Sequence, residues 1–385
     1  MPQSAQDTAP TIWINAGEVS GDMHAASLMR AFAGLGAPYR FTGMGGPAMA
    51  EAGFTAEFDS AELSLVGVSE VFGHLPRIFS LLRATKARLK ALRPRAVVVV
   101  DAPEYNFRVA RMAAKLGIPV YFFISPQVWG WRTGRVRFLA KYARRILCIL
   151  PFEVDFYARH GVAADFIGHP LLDTMPLAEL LRVPVLPGRV GILPGSRRRE
   201  IAGLLPRFAA VAGMLRERNP GLTFSLFRAP GVDPEFLRSF WPADLPVSTV
   251  EPEERYAGMR AAELLLAASG TVTLETALLG TPTLVAYRVA PLSFLVGLFL
   301  IHAEFFSLPN LILGKRVFPE LLQGQTEPAT MARVASRLLF DKPLLAAVRE
   351  ELDGLRARMG APGAARRAAE IILGDLAGGS PGTAG

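Results

Sequence analysis

The sequence predicts an α/β protein made of two Rossmann-like domains that face a cleft. Strand-like and helix-like segments alternate twice along the chain, and a proline-rich stretch separates the two runs. Residues 96–100 form a continuous, mostly β-branched run without alternation, which is typical of a strand buried on both faces of a parallel sheet. In such sheets ligands bind beyond the carboxyl ends of the strands, so the turns after the strands are where we expect the site.

The first half alternates strands and helices in the order of βαβ units. Strand-like runs lie at residues 11–17, 39–42, 96–100, 120–124 and 146–150. Segments with helical composition lie at 22–35, 75–92 and 107–116. This order implies a parallel sheet with right-handed crossovers.

The same order restarts after the prolines at positions 170, 176, 184 and 187. Strands are predicted at residues 190–193, 222–227, 262–267 and 283–287, and helices at 201–218, 331–359 and 361–373. We therefore expect domains at residues 1–175 and 176–345. The Gly/Ser/Ala/Pro-rich residues 374–385 are expected to be a disordered tail.

Composition narrows the class of protein. The chain has 385 residues, a formal net charge of +8 and 51% hydrophobic residues, which suits a folded protein of two or three domains. Cys148 is the single cysteine, which excludes a disulfide framework within the chain and a cysteine-based zinc site and fits a reducing cytoplasm. Only six of the 42 cationic side chains are lysines. Either a compositional bias of the gene or anionic partners such as phosphates explain this excess of arginine.

Two sequence features bear on membranes. The polar residues 1–10 have no cationic region followed by an apolar one, so no signal peptide is predicted. The longest uncharged apolar stretch, residues 289–303, is 15 residues long, below the roughly 20 that a spanning helix needs. It is either a buried core helix or an apolar patch that dips into a membrane surface.

The segment LPGSRRRE, residues 193–200, lies where a strand gives way to a helix. Gly195 permits a tight turn, and Ser196 can cap the helix and donate to an oxyanion. Arg197 and the two arginines after it add positive charge to the free N–H groups of the helix start. This combination favours pyrophosphate binding over a simply capped surface helix, although the spacing of a Walker loop is absent.

A second small-residue turn follows another predicted strand, in ASGTVTLETALLGTP. Ser269, Gly270 and Thr271 open a helix, and Glu275 lies one turn inside it. A carboxylate there can accept both hydroxyls of a ribose, or it can serve as a helix-capping charge. Two anion-binding turns in one domain indicate a nucleoside diphosphate.

The candidate general base is Asp101, which lies just past the carboxyl end of the buried strand in VVVVDAPEYNF. A carboxylate at a strand end that faces a cleft is placed to accept a proton, and partial burial would raise its pKa. The alternative is a structural Asp that caps the helix starting near Asn106.

The first glycine-punctuated turn, NAGEVSGDMH, supplies Glu18, Ser20 and a second candidate base, His24. Its spacing is not G-x-G-x-x-G, so a dinucleotide fingerprint is not supported. A lone histidine near a helix start is more often a structural hydrogen-bonding residue.

The segment of residues 125–145 begins with polar groups at a strand end and continues into six cations, with Trp129 and Trp131 beside them. This mixture suits a membrane interface, a phosphorylated ligand, single-stranded nucleic acid or a solvated helix face. Zinc-ligand spacing, a D-x-D metal signature and a G-x-S-x-G elbow are all absent from the sequence.

An ordered set of motifs along residues 11–373 resembles the lipid-A-disaccharide synthase family. The motifs are AGEVSGDMH, GMGGPAMAEAG, LSLVGVSEV, VDAPEYNF, SPQVWGWR, LPFE, IGHPLLD, LPGSRRREI, ASGTVTLETALLGTP, VAYR and SLPNLILG. Each is weak alone, but the order is specific. Within these motifs Ser125, Gln127 and Asn106 fall in the expected acceptor region, and Asn310 and Gln127 match family positions near the active site.

The resemblance implies a GT-B glycosyltransferase that binds a nucleotide sugar in its C-terminal domain and an acceptor in its N-terminal one. Its substrates would be UDP-2,3-diacylglucosamine and 2,3-diacylglucosamine 1-phosphate (lipid X), and its products the β-1,6-linked disaccharide 1-phosphate and UDP. It implies no metal and no other cofactor, and a peripheral place on the cytoplasmic face of the inner membrane of Gram-negative bacteria. Helices at 346–373 would return to the first domain, and homodimers occur in the family.

Other readings of the sequence stay open at this point. Another GT-B enzyme, such as a UDP-sugar epimerase or a peptidoglycan glycosyltransferase, would explain the two halves and the phosphate turns. An arginine-rich nucleic-acid-binding protein is disfavoured because 34 acidic residues are interspersed and no nucleic-acid motif is present. Apolar stretches at residues 63–82 and 291–313 are the candidates for contact with acyl chains.

Overall fold

The computed structural model describes residues 9–64, 71–131, 133–288 and 304–378. The apolar stretch at 289–303 therefore lies outside the described residues, as does part of each of the two stretches proposed for acyl chains. Residues 379–385 of the predicted tail lie outside them as well. In the described part of the chain, no helix is both long enough and apolar enough to cross a bilayer.

The chain divides into two compact units. The first contains Met1–Asp173 together with Ala361–Gly385, and the second contains Thr174–Gly360. The expected boundary at 346 falls inside a helix of the second unit, Lys342–Arg358, so the chain returns to the first unit only at Ala361. The last helix ends at Ala377, so the first four residues of the segment that was expected to be a tail are helical.

A parallel sheet of seven strands forms the centre of the first unit, in the order β3-β2-β1-β4-β5-β6-β7. Its strands are β1 Thr11–Ala16, β2 Arg40–Gly45, β3 Thr55–Asp59, β4 Ala96–Val100, β5 Val120–Phe123, β6 Arg145–Cys148 and β7 Ala164–Phe166. Its helices are α1 Val19–Gly34, α2 Pro47–Glu51, α3 Ala61–Ser64, α4 Val71–Leu92, α5 Pro103–Lys115, α6 Val128–Trp131, α7 Val136–Tyr142, α8 Pro151–Ala158 and α9 Leu171–Thr174.

A parallel sheet of six strands forms the second unit, in the order β10-β9-β8-β11-β12-β13. Its strands are β8 Arg189–Leu193, β9 Thr223–Phe227, β10 Ser248–Val250, β11 Leu264–Ala268, β12 Thr283–Tyr287 and β13 Glu320–Leu322. Its helices are α10 Leu177–Leu180, α11 Arg198–Arg218, α12 Pro234–Arg238, α13 Arg255–Ala261, α14 Val272–Leu278, α15 Leu308–Leu313, α16 Pro328–Phe340 and α17 Lys342–Arg358. The final helix, α18 Ala364–Ala377, packs against α1 of the first unit.

Continuous apolar strands explain why both faces of the first sheet are covered. All five residues of β4 are buried. Val97 and Val99 belong to one apolar cluster, and Val98 and Val100 to a second cluster. Successive strand residues point to opposite faces, so an unbroken valine run needs a helical layer on each side.

Each sheet has a point where the strand order reverses direction. In the first unit it lies between β1 and β4, where Ala16 is paired with Val100. In the second it lies between β8 and β11, where Leu193 is paired with Ala267. The crevice beyond the strand ends at such a switch point is where doubly wound sheets bind ligands. The residues that follow these four strands are therefore the expected positions of the functional groups.

Candidate active site

Asp101 occupies the switch point of the first sheet. It follows the last residue of β4 and adopts a φ of 53°, and Ala102 adopts a φ of 36°. These left-handed conformations are uncommon for residues other than glycine, and such strain is often found at functional turns. One carboxylate oxygen accepts the backbone N–H of Gly17 at 2.8 Å, and the other accepts that of Glu18 at 3.1 Å.

The environment of Asp101 raises its pKa to about 7. Burial is the largest cause, and the negative charge of Glu18 adds to it. The backbone N–H groups of Gly17, Glu18 and Gly21 oppose the shift because they stabilise the carboxylate. A carboxylate whose pKa lies near neutrality is matched to the work of a general base.

Asn106 holds the turn at Asp101 in position through hydrogen bonds to the backbone. Its amide nitrogen donates to the backbone carbonyls of Asn15, Val100 and Asp101, and its oxygen accepts from the Asn15 amide at 2.6 Å. The side chain is fully buried. The sequence assigns Asn106 to the acceptor cleft, whereas the structure places it in the core, where it joins the ends of β1 and β4.

The first turn of α1 contains both accessible and buried polar residues. Glu18 and Ser20 are exposed, as a role in contacting a ligand requires. Asp22 is buried and accepts the backbone N–H groups of Gly46, Ala48 and Met49 at 2.8 to 3.1 Å. Asp22 therefore ties α1 to the start of α2 and is not available to a substrate.

The two candidate bases differ in their surroundings. Burial lowers the pKa of His24, which leaves its imidazole neutral at pH 7 and able to accept a proton. His169 is its electrostatic neighbour, and burial followed by the charge of His24 lowers the pKa of His169 to about 4. His169 Nδ1 accepts the backbone N–H of Leu171 at 3.1 Å, so that ring has a structural role.

A buried polar cluster supports the turn after β5. Glu153 accepts the Trp129 indole N–H at 3.0 Å and the Leu150 backbone N–H at 3.1 Å. The Ser125 hydroxyl lies 2.9 Å from the Tyr157 hydroxyl, which donates to the carbonyl of Pro126. Ser125 is therefore buried beneath the turn.

Burial raises the pKa of Glu153 to about 7. Gln127 lies on the same turn and is exposed. Of the two residues that the sequence assigns here to the acceptor region, only Gln127 is open to solvent. Ser125 acts on that region through the turn that it supports.

The second switch point opens into a cavity of about 450 Å³, within the range of small-molecule sites. All seven residues proposed from the sequence for the nucleotide line it. They are Gly195, Ser196, Arg197, Ser269, Gly270, Thr271 and Glu275. The structure thus brings the two predicted turns, which are some 70 positions apart in the chain, to one cavity within the second unit.

The turn after β8 leads into the 21-residue helix α11. Gly195 has a φ of 103°, and a Cβ at this position would lie 2.7 Å from a carboxylate oxygen of Glu200. Arg197 is exposed and pairs with Glu200 at 3.3 Å. An exposed arginine beside the N-terminus of a long helix is suited to binding phosphate oxygens.

The three consecutive arginines have different surroundings. Arg197 lines the cavity. The guanidinium of Arg198 lies 3.8 Å from the centre of the Phe236 ring, and the residue does not line the cavity. Arg199 is exposed and does not line the cavity. The sequence alone treats these arginines as equivalent, and packing separates them.

Glu275 lies half-buried on α14 and belongs to a short chain of polar contacts. The Tyr256 hydroxyl donates to Glu275 at 3.3 Å, and Arg255 donates to the same hydroxyl at 2.7 Å. Burial raises the pKa of Glu275, and the charge of Arg255 opposes that shift. The Tyr256 hydrogen bond orients the carboxylate, and among the described residues no side chain donates a hydrogen bond to its second oxygen.

Sequence reasoning missed Arg228, Arg255 and Met259, which also line this cavity. Arg228 directly follows the predicted strand at 222–227, so the strand-end rule that located the other turns was sufficient to find it. Arg255 and Met259 lie on α13, which no motif marks. Arg228 pairs with Glu251 beside the cavity.

Asn310 is fully buried in the second unit. Its oxygen accepts the N–H groups of Val317 and Phe318, and its amide donates to the carbonyl of Phe318 at 2.8 Å. These three bonds use the side chain to fix the loop before β13. The structure therefore gives a loop-supporting role to a residue that the resemblance places in the active-site region. Among the residues described, no cluster of three or more His, Cys, Asp or Glu is arranged to hold a metal ion.

Comparison with known proteins decides the family. The lipid-A-disaccharide synthetase (LpxB) model matches residues 12–352. The lipid-A-disaccharide synthase of Syntrophus aciditrophicus is 40% identical over 370 residues, which cover 94% of this chain and 97% of that protein. The chain belongs to the lipid-A-disaccharide synthase family. A second member, from Geobacter sulfurreducens, is 38% identical over 375 residues and covers 96% of this chain and 98% of that protein.

Solved structures show the fold. MurG of Acinetobacter baumannii matches with a TM-score of 0.62 at 14% identity, over 96% of this chain and 100% of that one. The calicheamicin glycosyltransferase CalG4 matches with a TM-score of 0.60 at 18% identity, over 97% of this chain and 100% of that one. UDP-GlcNAc 2-epimerase of Neisseria meningitidis, bound to UDP-GlcNAc, matches with a TM-score of 0.61 at 12% identity, over 95% of this chain and 100% of that one.

These matches bear on the predictions made from the sequence. The α/β prediction with two Rossmann-like units of the GT-B type is confirmed. Membership in the family makes the chain a glycosyltransferase of lipid A biosynthesis. A peptidoglycan glycosyltransferase and a UDP-sugar epimerase are no longer favoured, since the family match covers nearly the whole chain.

Proposed function

We propose that the enzyme transfers 2,3-diacylglucosamine from UDP to the 6-hydroxyl of 2,3-diacylglucosamine 1-phosphate. The products are the β-1,6-linked disaccharide 1-phosphate and UDP. One observation carries this proposal: the two switch points hold complementary chemistry. The first has a partly buried carboxylate with a pKa of about 7, and the second has a cavity of about 450 Å³ lined with arginines.

The second unit binds the nucleotide in this proposal. Gly195 lets the backbone approach the diphosphate, Ser196 donates to it, and Arg197 neutralises the charge that grows as UDP leaves. Glu275 accepts the ribose hydroxyls, and Tyr256 holds its carboxylate in place. Ser269, Gly270 and Thr271 are small enough for the nucleotide to lie close to the chain. A solved structure with the same fold is bound to UDP-GlcNAc, which supports a UDP-sugar as the ligand.

The first unit binds and activates the acceptor. Asp101 takes the proton of the 6-hydroxyl as its oxygen attacks the anomeric carbon, and the bond to the UDP oxygen breaks in the same displacement. One displacement inverts the configuration at that carbon. Glu18, Ser20 and Gln127 are the exposed polar residues around the strand ends that would contact the acceptor sugar. His24 is the alternative base, because its neutral imidazole can accept the same proton.

We also propose that the enzyme is a peripheral protein of the cytoplasmic face of the inner membrane. Exposed cations along and after α7, among them Arg137, Lys141 and Arg144, support attraction to anionic lipid. A homodimer is part of the proposal on the strength of the family resemblance alone. Sedimentation at low salt with anionic vesicles tests the membrane association, and recovery in the pellet equal to that without vesicles contradicts it.

Mass spectrometry of the reaction product tests the function itself. Purified protein is incubated with UDP-2,3-diacylglucosamine and 2,3-diacylglucosamine 1-phosphate, and the expected ions are those of UDP and the disaccharide 1-phosphate. Asp101→Asn, measured under the same conditions, shows whether the product depends on the proposed base. Wild-type protein that releases no UDP and forms no disaccharide from these two substrates would overturn the proposal.

A further inference from the structure

A second cavity lies in the first unit, away from the nucleotide cavity. Its volume is about 290 Å³. Helix α5 and the segment that follows α6 form its walls. Its lining residues are Glu104, Phe107, Arg108, Arg111, Arg135 and Phe138. Three arginines around one small cavity are unusual, because like charges repel unless an anion joins them.

Aromatic rings orient two of these arginines. The guanidinium carbon of Arg135 lies 5.0 Å from the centre of the Phe107 ring. That of Arg111 lies 5.5 Å from the centre of the Phe138 ring and 5.7 Å from that of Tyr142. A guanidinium over a ring is held by a cation–π contact while its in-plane N–H groups can still donate. The arginines are thus partly preorganised.

Their charge is only partly balanced. Arg135 donates to both carboxylate oxygens of Glu104, at 2.7 and 2.9 Å. Arg108 donates to the backbone carbonyl of Glu104, which carries no net charge. Within the described part of the chain, Arg111 has no carboxylate within ion-pair distance. Among the lining residues that the structure describes, one carboxylate stands beside three arginines, which leaves this lining with a positive charge of two.

The cavity is close in sequence to the proposed catalytic turn. Helix α5 starts two residues after Asp101, and Glu104 lies in its first turn. Arg135 and Phe138 form the opposite wall. They follow the turn after β5 in the chain, and that turn carries Gln127. An anion bound here would therefore lie on the helix that begins at the acceptor site, with the apolar rings of Phe107 and Phe138 beside it.

We propose that this cavity binds the phosphate group of a lipid through Arg108, Arg111 and Arg135. Planar arginines bind phosphate oxygens in pairs, and the two phenylalanine rings suit the apolar part of the same molecule. The lipid is either the phosphorylated acceptor, in which case the inference rests on the proposed function, or an anionic phospholipid of the bilayer. The chemistry recognised is the same in both.

The test uses the full-length double variant Arg108→Gln/Arg111→Gln. Its matched control is Lys90→Gln/Lys115→Gln, which removes the same charge from exposed positions on α4 and α5 outside the cavity. Melting temperature and UDP binding confirm that both variants are folded. One arm measures the affinity for 2,3-diacylglucosamine 1-phosphate in detergent by calorimetry, and the other measures sedimentation with phosphatidylglycerol vesicles against phosphatidylcholine vesicles.

In at least one arm we expect the affinity of the cavity variant to be at least about tenfold lower than that of the control. A loss of this size corresponds to one hydrogen bond to a charged group. A loss confined to the calorimetric arm identifies the acceptor, and a loss confined to the vesicle arm identifies the bilayer lipid. Cavity and control variants that agree within about twofold in both arms overturn the inference. Neither arm needs turnover, so a failure of the proposed function, seen as absence of disaccharide from wild type, is a separate result.

Discussion

The carboxylate of Asp101 occupies the space where a side chain at Gly21 would begin: a Cβ built on Gly21 would lie 1.6 Å from Asp101 Oδ2. The first turn of α1 and the turn after β4 therefore share one volume. Since a heavy atom cannot approach another that closely, any side chain at position 21 must displace the carboxylate or the helix. The glycine is thus part of what holds Asp101 in place.

We expect Gly21→Ala to reduce turnover by about 100-fold, because a shift of the order of 1 Å in a catalytic group has that effect. Binding of UDP to the second unit should not change. The control is Gly34→Ala on the same helix, where an added Cβ meets nothing within 4 Å. Steady-state kinetics with both substrates saturating measures the difference. Turnover of Gly21→Ala within twofold of that of Gly34→Ala would show that the position of Asp101 is not critical.

The pKa of about 7 at Asp101 predicts the pH dependence of catalysis. A general base acts when deprotonated, so kcat/KM should rise about tenfold per pH unit below pH 7 and level off above it. Asp101→Asn should lower turnover by about 10²- to 10⁴-fold and abolish this limb. Asparagine tolerates the left-handed backbone of position 101, so the turn is preserved.

The same pH profile separates the two candidate bases. The pKa of His24 is lowered from its ordinary value of 6.5, so a His24-dependent limb would lie below pH 6.5. If Asp101→Asn keeps a limb there and near-full turnover, His24 is the base. Rates measured from pH 5 to pH 9 in buffers of constant ionic strength decide between them.

Arg197→Ala should lower turnover by about 10- to 1000-fold, since it removes a charge that stabilises the departing diphosphate. Arg199→Ala is the matched control, because Arg199 is exposed in the same turn of the helix but does not line the cavity. We expect it to stay within about threefold of wild type, the size of a screened surface effect. Equal losses in both variants would mean that the arginines act through their summed field and not through a contact by Arg197.

Glu275→Ala should weaken UDP binding by about 10- to 100-fold, the range for hydrogen bonds to a charged group. Tyr256→Phe should weaken it only a few-fold, because it keeps the Glu275 carboxylate and removes one neutral hydrogen bond that orients it. Calorimetry with UDP and with 2′-deoxy-UDP measures both effects. An unchanged preference for UDP over the deoxy form in Glu275→Ala would contradict the ribose contact.

Glu153 predicts a pH-dependent stability. Its folded pKa of about 7 lies above the ordinary value of 4.5, so the folded state holds the proton where the unfolded chain has lost it. Its contribution is therefore fully present below pH 4.5 and is lost as the pH rises to 7. Relative to Glu153→Gln, the wild type should lose up to about 3 kcal/mol of unfolding free energy over this window, at about 1.4 kcal/mol per pKa unit. Urea denaturation at pH 4.5, 6 and 7.5 measures it, and a constant difference between the two proteins would refute it.

The strands with continuous apolar sequences were predictable one by one. The strand predicted at residues 96–100 matches β4 Ala96–Val100. An unbroken apolar run fits a central strand of a parallel sheet, because both faces of such a strand are covered. The four edge strands were missed, since they are short and contain polar or charged residues. They are Thr55–Asp59, Ala164–Phe166, Ser248–Val250 and Glu320–Leu322. The single helix predicted over 331–359 is two helices, with Asp341 capping the second by accepting the N–H of Leu344.

The amino-acid sequence by itself determined the two parallel α/β halves, the strand-end turns at Asp101 and Gly195 and the family, because apolar runs, glycines and motif order are local properties. Only the tertiary structure decided which side chains are accessible. The fold buries Asn106, Ser125 and Asn310, which support turns. It also brings the turns at residues 195 and 270 to one cavity and places the Asp101 carboxylate where Gly21 has no side chain. The physical reason is that burial and contact depend on residues distant in the chain, and these are brought together only when the sheets form.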